Sequence, residues 1–80
     1  MGTGRTAGAT ADTRAVLTVI KARMEERHLS QQDVSRLSGI PQPTVSKLLG
    51  GSATFTVDHL LALSRALDIL PSELLQAAGY

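Results

Sequence analysis

The sequence predicts an all-α domain of five short helices, and three observations support this prediction. The chain has 80 residues, a length that suits one domain built around one buried core. Apolar residues recur at three- and four-residue spacing in several segments, which is the period of a helix with one buried face. Glycine or proline stands between the later segments, as is common where one helix ends and the next begins.

Residues 1–11 are predicted to form a disordered arm, and residues 12–78 are predicted to form the folded domain. The arm consists mainly of glycine, threonine and alanine, and Arg5 is its one charged residue. Such a composition buries too little apolar area to offset the entropy that is lost when a chain becomes ordered.

Helix 1 is predicted over residues 13–27, where Asp12 or Thr10 can cap the first turn. Charged side chains occupy one side of this segment, which is typical of a surface helix packed on a core. The apolar positions of the other side have helical spacing, and they are Val16, Leu17, Ile20 and Met24.

Helices 2 and 3 are predicted to be short and to be separated by a glycine. Ser30 and Asp33 resemble a capping box, with Asp in place of the usual Glu, and helix 2 continues to about Ser38. Gly39 follows at a position where a helix can end in a left-handed residue. Helix 3 is predicted over residues 43–49 with a proline at its first position, because proline is tolerated there and disfavours helical backbone in the residue before it.

Two further helices are predicted after the break at residues 50–52. Thr56 can cap helix 4 over residues 57–67, and Pro71 begins a short final helix. We expect the apolar faces to form one core in which Met24 lies close to Leu49. The predicted core residues are Val16, Ile20, Met24, Val34, Ile40, Val45, Leu48, Leu49, Leu60, Leu63, Leu67 and Leu74.

Charge is distributed unevenly along the chain. Residues 1–47 carry seven Lys and Arg against four acids, a balance of +3, whereas residues 48–80 carry one Arg against three acids, a balance of −2. The basic half can meet a polyanion or can be an ordinary solvated surface. The only aromatic residues are Phe55 and Tyr80, too few for the base-stacking surfaces that bind single strands, so duplex DNA is the favoured nucleic acid.

The residue types argue against several classes of function. The chain has no cysteine, which excludes disulfides and thiolate metal sites. His28 and His59 have no partner at ligand or triad spacing, so we predict no enzymatic activity, metal, cofactor or small-molecule ligand. The sequence has neither a signal peptide nor an apolar run long enough for a membrane span, which predicts a cytoplasmic protein.

The stretch from Gln31 to Leu48 has the spacing of a helix-turn-helix. The pattern comprises Leu29-Ser30-Gln31, Gly39-Ile40, Val45, Leu48, Gly51 and the segment LLALSRAL at 60–67. On these residues the chain resembles the lambda-repressor-like family, also called the Xre/Cro type, over about residues 13–76. The resemblance implies a compact five-helix domain that binds operator DNA, typically as a dimer, in the manner of small phage or bacterial repressors. Helix 3 would then lie in the major groove.

The resemblance also implies which side chains contact DNA. Base edges would be read by residues of helix 3, namely Gln42, Pro43, Thr44 and Lys47. Phosphates would be held by Gln31, Ser46, Ser52 and Thr54, and Arg5 of the arm can reach a groove or a phosphate. The alternative is that these side chains are an ordinary solvated helix face, loop and arm.

Two departures from the family pattern concern apolar residues. The family often pairs an Arg late in helix 1 with a Glu late in helix 3, and Met24 and Leu49 occupy those positions here. Leu70 stands where relatives tend to have a polar cap before helix 5. A dimer surface is therefore predicted from Leu70, Leu75, Ala78 and Tyr80, unless Leu70 and Leu75 close the monomer core. The alternative function is a protein-interaction module of the same fold, such as an antitoxin, an antirepressor or an adaptor.

Overall fold

A computed structural model describes residues 11–79 of the chain, and every regular element in this range is a helix. The five helices are α1 (Ala11–Glu26), α2 (Gln31–Ser38), α3 (Gln42–Leu49), α4 (Val57–Leu67) and α5 (Pro71–Ala77). The prediction of an all-α, five-helix domain is confirmed. No helix between residues 11 and 79 combines the length and the apolar character that crossing a bilayer requires.

The predicted caps of α2 and α4 are present. The Ser30 hydroxyl accepts a hydrogen bond from the Asp33 N–H at 3.1 Å, and the Asp33 carboxylate accepts one from the Ser30 N–H at 2.9 Å. At α4, the Thr56 hydroxyl accepts from the His59 N–H at 3.1 Å. Each side-chain oxygen satisfies an N–H that has no partner inside its helix, so the short helices have defined first turns.

Two helix starts differ from the prediction. Helix α1 begins at Ala11, so Asp12 lies inside its first turn, and Thr10 lies outside the described residues. Helix α3 begins at Gln42 with Pro41 as its N-cap, so Pro43 is the second helical residue and its prediction as the first was wrong. A proline in the first turn removes no intrahelical hydrogen bond, and this explains why α3 tolerates Pro43 one position further in.

Helices α1 and α4 end in the same backbone motif, which the sequence does not signal by glycine. After α1, the His28 N–H donates to the Glu25 carbonyl at 3.2 Å and the Leu29 N–H donates to the Met24 carbonyl at 2.8 Å. His28 is left-handed, with φ 56°, and Asp68 after α4 has φ 55°. This is the Schellman motif, and the apolar residue that follows each left-handed residue packs on the core, Leu29 after α1 and Ile69 after α4.

One core joins the five helices, and its composition follows the prediction closely. Leu60 is half-buried and packs against the core, and the other eleven predicted residues are buried. Leu17 and Ile69 are buried as well. Met24 and Leu49 belong to the same core cluster and line the same groove, as expected of neighbours.

The packing order places α2 and α3 at one end of the domain. Helix α2 contacts α3 and α4, while α1 contacts α4 and α5, and α4 contacts α5. A side-chain link strengthens the α1–α4 contact, because the Arg23 guanidinium donates to the carbonyls of Leu67 at 3.1 Å and Asp68 at 2.9 Å. Helix α4 therefore supports α2, α2 in turn supports α3, and α5 packs on α1 and α4.

Candidate DNA interface

The turn between α2 and α3 is fixed by one glycine and two serines. Gly39 has φ 79°, and its N–H donates to the Ser35 carbonyl at 2.9 Å. The Ser35 hydroxyl donates to the Ile40 carbonyl, and the Ser38 hydroxyl accepts from the Ile40 N–H at 3.1 Å. Both backbone polar groups of Ile40 are thus paired, and the angle between α2 and α3 is set by local hydrogen bonds.

Gln31 is the first residue of α2, close to an ionised acid whose charge is paired. The Asp33 carboxylate caps Ser30 and also pairs with Arg36 at 2.9 Å. The hydrogen bond from the Ser30 backbone N–H lowers the pKa of Asp33, and the bonds from the Ser30 hydroxyl and Arg36 act in the same direction. Arg36 therefore offsets the charge of Asp33 near the helix N-terminus, where Gln31 is half-buried.

Helix α3 presents one face to the core and the other to solvent. Val45, Leu48 and Leu49 are buried. The side chains expected to face DNA divide by exposure: Gln42, Pro43, Ser46 and Lys47 are exposed, and Thr44 is half-buried. The exposed face of α3 is therefore polar except for the ring of Pro43.

A groove between α1, α2 and α3 brings two predicted phosphate contacts together. It has a volume of about 570 Å³, and Gln31 and Ser46 both line it. Met24, Leu29 and Leu49 supply its apolar lining, and Lys21 and Glu25 add charged groups from α1. Gln31 and Ser46 therefore belong to one surface, although they lie on different helices.

The other predicted phosphate contacts lie apart from this groove. Ser52 caps α3, because its N–H donates to the Lys47 carbonyl at 2.9 Å and its hydroxyl donates to the same oxygen at 3.3 Å. Thr54 is exposed in the loop before α4. Arg5 lies outside the described residues.

The basic residues divide into paired and unpaired groups. Ion pairs engage three arginines: Arg23 with Glu26, Arg27 with Asp68 and Arg36 with Asp33. Arg14, Lys21, Lys47 and Arg65 form no ion pair with any residue from 11 to 79. Arg14 and Lys21 were not among the predicted contacts, because periodicity shows only that they lie on the polar side of α1.

Several large apolar side chains remain exposed on the folded domain. They are Leu37 at 52%, Val57 at 72%, Leu70 at 64% and Leu75 at 44% exposure. Leu70 and Leu75 therefore do not close the monomer core. Leu75 and Ala78 line a groove of about 150 Å³ with Phe55 and Val57, and Tyr80 lies outside the described residues.

Helix α5 begins without a side-chain cap, because the residue before it is Leu70. Leu70 is the N-cap, and its side chain has no atom that could accept a hydrogen bond. The reciprocal half of a capping box remains, because the Glu73 carboxylate accepts from the Leu70 N–H at 3.2 Å. The Leu70 side chain therefore neither caps α5 nor packs in the core, and it remains exposed to solvent.

Two short helices joined by a glycine turn, the second with one face buried and the other exposed, define the helix-turn-helix class of DNA-binding proteins. A family model described as the Cro/C1-type HTH DNA-binding domain matches residues 19–78. The chain belongs to this family, which confirms the resemblance derived from its sequence and makes it a DNA-binding regulator of transcription.

Two solved structures are similar to this chain. The restriction-modification controller protein C.AhdI from Aeromonas hydrophila has 29% identity and a TM-score of 0.73, over 81% of this chain and 98% of that chain. The wild-type restriction-modification controller protein C.Esp1396I shares the fold at 18% identity and a TM-score of 0.77, over 88% of this chain and 91% of that chain. Curated protein sequences give no match.

Proposed function

We propose that this chain is a sequence-specific repressor of the small phage or bacterial type, which binds duplex DNA through α3 in the major groove. One observation carries the proposal: Gln42, Pro43 and Lys47 project into solvent from a helix whose opposite face is buried. The similar structures are those of restriction-modification controller proteins, which supports a regulatory role.

The exposed side chains of α3 suit the edges of base pairs in the major groove. The amide of Gln42 can both accept from and donate to adenine, and the ammonium group of Lys47 can donate to guanine O6 or N7. Pro43 has no N–H, so it contributes only apolar contact, and the Thr44 methyl can pack on a thymine methyl. Gln42 and Lys47 are the residues through which we expect sequence to be read.

Phosphate contacts position α3 but carry no sequence information. Gln31 and Ser46 line one groove beside α3 and can hold one stretch of backbone. Ser52 and Thr54 follow α3. The Ser52 hydroxyl donates to the Lys47 carbonyl, so contact with a phosphate requires its proton to turn from that carbonyl to a phosphate oxygen, which can only accept. Thr54 and Arg5 complete the proposed set of phosphate contacts.

A homodimer is part of the proposal, because one small domain gains limited electrostatic attraction to DNA. The whole chain has a net charge of only +1. Two copies related by a two-fold axis would read half-sites about 34–36 Å apart and would combine their binding energies. The proposed dimer surface comprises Leu70, Leu75, Ala78 and Tyr80, and exposure of the two leucines supports it.

Selection of bound sites from random duplex DNA tests this function. We expect a defined sequence to be enriched, with two-fold symmetry if the dimer binds, and we expect affinity to fall as salt concentration rises. A protein that shows no salt-dependent shift with any duplex but forms a stable complex with another protein would instead be an antitoxin, an antirepressor or an adaptor.

A further inference from the structure

We infer that Arg14 and Lys21 form a second phosphate-binding site on α1, here called the α1 basic strip, which holds the DNA backbone beside the contacts of α2 and α3. This inference rests on the proposed function, because its ligand is the phosphate backbone of the same duplex. It adds two residues of α1 to an interface whose predicted contacts lie in the helix-turn-helix, in the loop after α3 and in the arm.

Arg14 and Lys21 are close to one another on α1. They are seven residues apart, so they lie on the same face of α1, about 10 Å apart along its axis. Both line a cleft of about 380 Å³, whose opposite wall includes Gly50 and Gly51 after α3. The glycines contribute no side chains, which leaves the two cationic groups accessible from solvent.

The cleft that contains Arg14 and Lys21 is continuous with the groove of the proposed DNA contacts. Lys21, Leu49 and Gly50 line both this cleft and the larger groove that contains Gln31 and Ser46. A phosphate backbone that runs past Gln31 and Ser46 therefore meets Lys21 next and then Arg14. One strand of B-DNA presents a phosphate about every 3.4 Å of helix axis, so a strip about 10 Å long can contact more than one phosphate.

The charges of Arg14 and Lys21 differ in their pairing from those of the neighbouring arginines. Arg14 and Lys21 are exposed and form no ion pair within residues 11–79, whereas Arg23, Arg27 and Arg36 are engaged by carboxylates. Thr18 lies between the two cations, and its hydroxyl proton is donated to the Arg14 carbonyl at 3.0 Å. Among residues 11–79, none of those that line the cleft is acidic, and Glu25 lines the neighbouring groove instead. These cations are thus free to replace the counterions of a phosphate backbone.

The test compares the salt dependence of DNA binding for three proteins on the site selected by the wild type. The double variant Arg14→Gln, Lys21→Gln removes the strip. Arg65→Gln is the matched control, because Arg65 is an exposed arginine on α4 that forms no ion pair within residues 11–79. We expect the slope of log K against log salt to become shallower by about 1 to 2 in the double variant, since each phosphate contact contributes about 0.9. The slope for Arg65→Gln should match that of the wild type.

A charge-retaining variant separates loss of charge from loss of structure. Arg14→Lys, Lys21→Arg should restore the wild-type slope, and selection with the Gln double variant should return the same DNA sequence, because phosphate contacts do not specify bases. If the wild type binds DNA but the Gln double variant keeps the wild-type slope, the α1 basic strip does not contact phosphate, and the proposed function stands. If the wild type itself binds no duplex, the proposed function fails and the strip fails with it.

Discussion

The Ser35 hydroxyl donates a hydrogen bond to the Ile40 carbonyl across the turn that joins α2 to α3. This bond ties the middle of α2 to the residue that enters the α3 segment, and Ile40 itself is buried in the core. The orientation of the exposed face of α3 therefore depends on the Ser35 hydroxyl as well as on the left-handed backbone of Gly39.

The substitution Ser35→Ala should destabilise the domain and weaken DNA binding. It leaves the Ile40 carbonyl without its side-chain donor in a partly buried turn, which should cost about 1–3 kcal/mol of unfolding free energy. Urea denaturation of the variant measures this loss. Ser72→Ala is the control, because Ser72 is exposed on α5, and its effect should stay within about 0.5 kcal/mol. Equal stability of the two variants would show that the Ser35 bond does not hold the turn.

Truncation of Leu48 should cost far more than truncation of an exposed leucine. Leu48 is fully buried on the inner face of α3, so Leu48→Ala should lower the unfolding free energy by about 2–5 kcal/mol. Leu37→Ala on the exposed face of α2 should change it by about 0.5 kcal/mol or less. Denaturant titration of both variants tests the assignment of the core, which similar losses for the two would contradict.

Stability at acid pH should depend on Asp33. Its pKa is lowered in the folded protein, mainly by the Ser30 backbone N–H, so folding favours the ionised carboxylate. The resulting stabilisation is fully present above the unfolded pKa of about 3.9 and is lost as pH falls through the folded value. Asp33→Asn should flatten the fall in unfolding free energy between pH 5 and 2. If the unfolding free energies of the variant and the wild type fall in parallel with pH, Asp33 is not a source of the acid sensitivity.

The dimer surface can be tested by placing charge on its exposed leucines. Leu70→Asp and Leu75→Asp should each shift sedimentation equilibrium at micromolar concentration toward the monomer, because a buried unpaired carboxylate opposes association. Leu37→Asp on α2 is the control and should leave the assembly unchanged. A monomeric wild type, or a dimer that both α5-side substitutions leave intact, would show that these leucines do not form the interface.

The sequence was sufficient for most of the fold because its signals were local. The Ser30–Asp33 cap, Gly39 and the apolar spacing of α1 and α4 each predict structure within a few residues. The left-handed residues His28 and Asp68 were not predicted, since glycine is the usual signal at such positions and the chain has none there. Burial of Ile69 follows from the second of these turns, so it was missed for the same reason.

The residues of the proposed DNA-facing surface could be predicted only within a single helix, because contacts between helices leave no local signal in the sequence. The pattern within α3 indicated which of its side chains face outward, and Gln42 and Lys47 are exposed as expected. Arg14 and Lys21 gave no such signal, because only the folded domain brings them to the same cleft as Leu49 and Gly50 at the end of α3. Periodicity assigns a residue to a face of its own helix, but it does not reveal what lies opposite that face.

Base reading by α3 is tested most directly by measuring whether substitutions at Gln42 and Lys47 change the preference for individual base pairs. Wild type, Gln42→Ala, Lys47→Ala and the control Gln31→Ala would each be titrated against the selected site and against every single base-pair change in it. We expect each α3 variant to lose about 1–3 kcal/mol on the original site and to relax preference at its own base pair, whereas Gln31→Ala weakens all sequences equally. An unchanged order of preference in both α3 variants would contradict base reading by α3.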